Sequence, residues 1–264
     1  MNSFTTRLLS GIVYVALLIS AIWFNNFYTF ILFGLFIVIG TKELYKLLKI
    51  DDSIAYTGIA LSLAVYILVG RLWFHSYILF TLILVSILFL QALFNEKIEK
   101  PFEQVGGAIL ALFYITIPLT LALRLPFVTD EGFRPEILLG VFILIWSSDT
   151  FAYLVGSKFG KTKLFERISP KKTWEGSVGG AICTVGIGFI LQQFWPLEHR
   201  FIWPIIAVLC AVFGTLGDLV ESVLKRRAGA KDSGNIMPGH GGILDRLDSF
   251  IFTVPLVYLL LSIL

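Results

Sequence analysis

Between Asp218 and Asp248 the chain gathers Asp218, Glu221, Asp232, Asp245 and Asp248 with Lys225, Arg226, Arg227, Lys231 and Arg246, and apolar sequence flanks this stretch on both sides. Charge is costly near a bilayer, so charge packed this tightly marks a functional site by default. Asp218, Glu221, Ser222 and Lys225 recur at spacings of three and four, which puts them on one helix face. Such a face is also what a neutralised helix end looks like, with Lys225 or Arg226 as the neutralising cation. The run that follows places Lys231 and Asp232 beside a turn, then Pro238-Gly239-His240-Gly241-Gly242. Gly239, Gly241 and Gly242 let backbone N–H groups approach a ligand closely. His240 reads as a turn or substrate-binding residue, because Mg²⁺ prefers oxygen to imidazole. Asp245 and Asp248 flank Arg246 at the start of the next apolar run, where carboxylates also suit the helix dipole. Facing one another, Asp218, Asp245 and Asp248 would form an oxygen-rich site for Mg²⁺ completed by substrate phosphates.

A second polar stretch runs from Trp146 to Ser177. Ser147, Ser148, Asp149 and Tyr153 interrupt an apolar run, and Asp149 in that setting calls for function or pairing. The segment Gly156-Ser-Lys-Phe-Gly160-Lys-Thr is one residue short of the phosphate-binding loop G-x-x-x-x-G-K-[ST], so that motif is absent. In Ser169-Pro-Lys-Lys-Thr-Trp-Glu-Gly176, Ser169 suits a helix cap and Pro170 a first helical position. Lys171, Lys172 and Thr173 can hold phosphate oxygens. The same lysines would also serve as a positive loop drawn to anionic lipid. Together the two stretches point to polyphosphate chemistry, which needs mainly positioning and charge stabilisation. A site at the membrane face can take a soluble nucleotide from water and a lipid phosphate from the bilayer.

The elements that hold these residues are membrane helices. The chain of 264 residues is 57% hydrophobic and only 15% charged, against about 45–50% and about 25% for soluble domains. This excludes a soluble fold and predicts an all-α polytopic membrane protein. Spans need about 20 mostly apolar residues. On that rule there are about nine: near 8–24, 27–40, 54–70, 73–94, 105–123, 137–155, 177–195, 202–224 and 249–264. The second continues into the charged run ending at Lys49. The first follows Arg7 and lacks an A-x-A site, so it reads as a span and not a cleaved leader. Arg71, Arg124, Arg134 and Arg200 fall on one side, and every other Lys and Arg falls on the opposite side. This bias predicts a cytoplasmic N-terminus, an outer C-terminus, and both polar stretches at the cytoplasmic face. No polar segment is long enough for a second domain. Residues 1–264 therefore read as one transmembrane domain, with 1–135 mainly scaffold and 136–264 carrying the chemistry. A net charge of +3 is too small to argue for nucleic acid. Cys183 and Cys210 have no metal-ligand spacing and read as packing residues. Gly176, Gly180, Thr184 and Gly188 recur every four residues, a small-residue face suited to intramolecular helix packing.

The run Ser222–Asp248, SVLKRRAGAKDSGNIMPGHGGILDRLD, resembles the signature of phosphatidate cytidylyltransferases, also called CDP-diacylglycerol synthases. Asp149-Thr150 with Ala152 and Tyr153, and the SPKKTWEG run, are also similar to that family; Met237 is a conservative departure. The resemblance covers residues 146–264 in motif terms. It implies transfer of the cytidylyl group of CTP to phosphatidic acid, giving CDP-diacylglycerol and pyrophosphate. It further implies a second cation such as K⁺ beside Mg²⁺, and a homodimer. On that basis Asp218 and Asp245 bind metal, with Asp248 and Asp149 as further ligands. Lys171, Lys172, Lys225, Arg226 and Lys231 would then hold CTP or lipid phosphates, and the 239–242 turn with His240 would approach the nucleotide. Ser169, Thr173, Ser222, Asp232 and Arg246 complete the substrate-binding set.

Two other active readings compete, beside a non-catalytic membrane scaffold, which would leave the PGHGG and SPKKT loops without purpose. A CTP-dependent polyprenol or phytol kinase would release CDP in place of pyrophosphate. An ion-coupled transporter would place charges near the midplane, whereas here they cluster at one face.

Overall fold

The structure is a computed structural model that describes residues 3–70, 77–129 and 131–263. Helices dominate it: α1 (Ser3–Phe24), α2 (Asn26–Leu48), α3 (Asp52–Gly70), α4 (Tyr77–Phe94), α5 (Pro101–Ala111), α6 (Ile117–Ala122), α7 (Pro135–Phe159), α8 (Trp174–Phe194), α9 (Ile202–Arg227) and α10 (Leu244–Ser262). A π-helical turn, Leu112–Thr116, joins α5 to α6. The only strands among the described residues are β1 (Lys163–Phe165) and β2 (Ser169–Thr173), which pair antiparallel. This is the all-α polytopic membrane protein that the composition predicts. A helix satisfies its own backbone polar groups, which hydrocarbon cannot do.

Among the described residues, seven segments are long and apolar enough to cross a membrane: Thr5–Phe24, Asn26–Leu48, Asp52–Val69, Pro101–Phe127, Pro135–Phe159, Trp174–Phe194 and Ile202–Arg227. Each matches an expected span. The fourth expected span is shorter as described, with its apolar part at Thr81–Phe94, and its expected start at Trp73 lies outside the described residues, as does Arg71. The ninth is α10, which carries Asp245, Arg246 and Asp248 in its opening turns.

The chain divides into two compact units, one of Met1–Arg124 with Asp232–Arg246, the other of Leu125–Lys231 with Leu247–Leu264. In the first, α2, α3 and α5 bury Phe33, Leu44, Tyr66, Ala108 and Leu119. Tyr66 stacks on Phe30 at 4.9 Å and donates its hydroxyl to the Phe30 carbonyl at 2.7 Å. Pro118, which has no N–H to donate, stands just after the π-helical turn, where the helical hydrogen-bond register has already been broken. Lys42, Lys46 and Lys49 emerge exposed from the end of α2, as expected.

In the second unit, α8 packs between α7 and α9 through its small-residue face. Gly176, Gly180, Thr184 and Gly188 are buried. A Cβ on Gly180 would lie 2.9 Å from the Cβ and backbone nitrogen of Ala152, and one on Gly188 would lie 2.8 Å from the Trp203 carbonyl. The stripe packs within the molecule, and this contact is available only to glycine. Phe142 stacks on Phe250 at 4.1 Å, and Ser249 Oγ donates to the Gly214 carbonyl at 3.0 Å, joining α10 to α7 and α9. Cys183 and Cys210 are free thiols.

Candidate active site

The last turns of α9 present Asp218 and Glu221, and the start of α10 presents Asp248. One oxygen of each lies within 4.8 Å of the others. Glu221 is fully buried, and Asp218 and Asp248 are half-buried. Carboxylates this close repel one another, and burial magnifies the repulsion. Two lysines offset it: Lys172 Nζ forms an ion pair with Asp218 Oδ2, and Lys225 Nζ lies 2.6 Å from Glu221 Oε2. Ser222 Oγ also reaches Asp218 Oδ1 at 3.5 Å. Asp149 acts on Asp248 as a further like charge, as do Asp218 and Glu221. Four carboxylates therefore face two ammonium groups. Hard oxygen donors with excess negative charge fit a divalent cation such as Mg²⁺. The close approach of helices is built in at Gly217, where a Cβ would lie 2.5 Å from the Asp248 carbonyl.

The face predicted from spacing thus forms, and Glu221 belongs to the cluster as fully as Asp218. Asp149 is exposed on α7, and its place beside the cluster rests on its charge.

The lysine segment is a hairpin and not a helix start. Ser169 and Pro170 lie in β2, with Phe165 opposite Ser169 and Lys163 opposite Thr173. The helix begins four residues later than a Ser169 cap would set it, at Trp174, and Thr173 is its cap, accepting from Gly176 N at 3.2 Å. Glu175 turns back to accept from the amides of Lys161 and Thr162, each at 3.1 Å, which closes the hairpin onto the helix. Strand pairing and these two bonds outweigh the local preference of Pro170 for a first helical turn. The hairpin leaves Lys171 exposed and turns Lys172 toward Asp218. Arg226, in the last turn of α9, and Lys231, beyond it, are exposed, and Arg226 donates to the Ala230 carbonyl at 3.4 Å.

The remaining expected residues belong to the first unit. Met237 N donates to the Gly241 carbonyl at 3.0 Å, and His240 N to the Met237 carbonyl at 2.9 Å. This tight turn requires positive φ at Gly239 (+76°) and Gly241 (+86°), which glycine adopts without penalty. Asp245 Oδ2 accepts from Ser233 N at 2.8 Å, Ser233 Oγ at 2.9 Å and Gly242 N at 2.8 Å. Its immediate work is to pin the turn, a role beyond that of the metal ligand expected from sequence. Arg246 Nη2 donates to the His240 carbonyl at 2.8 Å. Asp232 is exposed.

Glu43, on α2, is a positioning residue that sequence reasoning misses. It is buried, at 8% exposure. Its carboxylate accepts from Ile243 N at 3.1 Å, Leu244 N at 2.9 Å and Ser233 Oγ at 3.0 Å. It therefore meets the orphan amides that open α10. A signal existed, since Glu43 is the first acidic residue of the chain, but nothing in the run around it points to a distant partner.

The Cytidylyltransferase family model matches residues 5–264. The chain is 48% identical over 134 residues to a phosphatidate cytidylyltransferase of Staphylococcus epidermidis, an alignment that spans half of each chain. It is 43% identical over 163 residues to that of Bacillus subtilis, covering 61% of this chain and 60% of the relative. With that of Staphylococcus haemolyticus it shares 36% identity over 240 residues, covering 88% and 90%. With a family match running nearly end to end and a carboxylate and lysine cluster at the motif positions, this chain belongs to the cytidylyltransferase family.

Proposed function

We propose that the chain transfers the cytidylyl group of CTP to phosphatidic acid, forming CDP-diacylglycerol and pyrophosphate for phospholipid synthesis. The observation that carries this reading is the Asp218, Glu221 and Asp248 cluster, neutralised in part by Lys172 and Lys225, in a chain whose relatives are named for that activity. A phosphate oxygen of the lipid attacks the α-phosphorus of CTP, the bond to the β-phosphate oxygen breaks, and pyrophosphate leaves with the bonding electrons. The lipid phosphate is already ionised, so no strong base is needed. Lys171 and Lys172 on the hairpin, with Lys225, Arg226 and Lys231, hold phosphate oxygens and stabilise charge in transit. Asp218, Glu221 and Asp248 would hold Mg²⁺, which would supply further positive charge to those oxygens. Asp245, in the first unit, is a metal ligand by the sequence expectation alone. Thr173 acts through the helix it caps, and the Gly239–Gly242 turn, with Asp232 and His240, receives substrate. The second cation, such as K⁺, and the homodimer rest on the resemblance alone.

The Lys and Arg bias supports a site at the cytoplasmic face of the plasma membrane. Single cysteines at Lys161 and Asp232 are expected to react with an impermeant thiol reagent only after the membrane is opened; reaction from outside would reverse the orientation.

The activity itself is tested by incubating purified protein with CTP, phosphatidate and Mg²⁺ and identifying the products. CDP-diacylglycerol and pyrophosphate are expected. CDP with a newly phosphorylated lipid would favour the lipid-kinase reading, and no turnover from folded protein would favour transport.

A further inference from the structure

The N-terminal helix is stitched to the glycine turn. Ser10 Oγ lies 2.7 Å from His240 Nδ1 and 3.0 Å from the Pro238 carbonyl. Gly11 lies beneath the imidazole, where a Cβ would meet His240 Cε1 at 3.3 Å. The Arg7 side chain passes over Gly239, where a Cβ would sit 2.6 Å from Arg7 Cγ. Beside this junction is a groove of about 750 Å³, lined by Leu8, Ile12, Val15 and Ile19 with Arg7 and His240 at one end. From Arg7 to Ile19 the helix rises roughly 18 Å, about the depth of one leaflet of a hydrocarbon core roughly 30 Å thick.

We propose that Arg7, His240 and Arg246 form the headgroup end of a lipid site whose acyl groove runs along α1, and that its occupant is a phosphomonoester lipid, the phosphatidate of the reaction proposed above. The assignment rests on that reading and adds a location and a residue, Arg7, to it.

Two features select the occupant. The first is charge. Among the described residues, neither Arg7 nor Arg246 has a carboxylate within ion-pair distance. Burial first, and then the charges of Arg246 and Arg7, hold the His240 imidazole below its ordinary range; only the part due to charge reflects positive potential on a neighbouring base. A phosphate is the complementary ligand, and guanidinium forks match its geometry. The second is the lining. A nucleotide carries polar groups along its whole length, whereas this groove is apolar beyond Arg7 and His240. A lipid phosphate with its chains beside α1 satisfies both ends at once.

The test is Arg7→Gln, assayed in mixed micelles with phosphatidate and CTP varied separately. Arg7 is exposed, so the variant keeps its fold. The expected result is a rise of about 10-fold in KM for phosphatidate, equivalent to about 1.4 kcal/mol, with KM for CTP and kcat within about twofold of the parent. An unchanged phosphatidate KM overturns the proposal and leaves Arg7 as a residue that merely reaches for the interface. A rise confined to the CTP KM also overturns it and gives the guanidinium to the nucleotide. An independent readout is photolabelling by a diazirine-bearing phosphatidate. Labelling of the 3–24 segment that is competed by phosphatidate and not by phosphatidylcholine supports the site, and labelling elsewhere sinks it. If the parent protein forms no CDP-diacylglycerol, the proposed function fails, and photolabelling then decides the lipid site by itself.

Discussion

The amide of Leu244 donates to the buried carboxylate of Glu43 at 2.9 Å, across 201 residues of sequence. Ile243 and Ser233 donate to the same group, so one side chain on α2 fixes both ends of the segment that carries the glycine turn. Glu43→Ala leaves buried donors unmet at about 1–3 kcal/mol each. At about 2–4 °C per kcal/mol for a chain near this size, the thermal midpoint in detergent falls by several degrees, and turnover falls with it. Glu43→Gln, which keeps one carbonyl acceptor, is expected between the two. A midpoint for Glu43→Ala within about a degree of the parent would show that the clamp is not needed.

Lys172 is tied to Asp218 while its neighbour Lys171 points to solvent. Lys172→Ala is expected to lower turnover about 100-fold or more, on the scale of removing one preorganised donor from a charge-stabilising site. Lys171→Ala is expected to cost far less, and equal losses would mean that the hairpin does not distinguish the two. Rates of CDP-diacylglycerol formation at saturating CTP decide this.

Chelation is expected to abolish turnover, and added Mg²⁺ to restore it. Asp248→Asn and Glu221→Gln raise the Mg²⁺ concentration needed for half-maximal rate. Glu221→Gln also removes the ion pair to Lys225, and the thermal midpoint shows what that pair contributes to the fold. Asp245→Asn separates two roles. A lowered thermal midpoint with an unchanged Mg²⁺ requirement assigns Asp245 to the turn alone, and a raised requirement gives it to the ion as well. The measurement is a Mg²⁺ titration beside a thermal melt.

Gly180→Val tests the stripe between α7 and α8. The new side chain meets Ala152 backbone and Cβ at about 3 Å and cannot yield by rotation. Overpacking costs about 1–3 kcal/mol, read as a lower midpoint. Gly186→Ala, where a Cβ meets nothing within 4 Å, is the control and leaves the midpoint in place.

What was legible in the sequence was whatever recurs at a helical period. Asp218, Glu221, Ser222 and Lys225 share a face because of their spacing, and Gly176, Gly180, Thr184 and Gly188 form a seam for the same reason. The hairpin was not legible, because Ser169 and Pro170 carry local helix-start preferences that pairing with Lys163–Phe165 overrides. Glu43 was not legible either. Its partners lie some two hundred residues away, and no local pattern encodes a contact of that range.

The clamp from Glu43 also limits how this protein can be cut and recombined. A fragment of residues 136–264 would hold the motifs that carry the resemblance, and would still lack the acceptor that shapes one of them. Grafting that half onto foreign helices therefore requires a carboxylate placed where α2 places it, and a chimera lacking one would match the family without folding its defining turn.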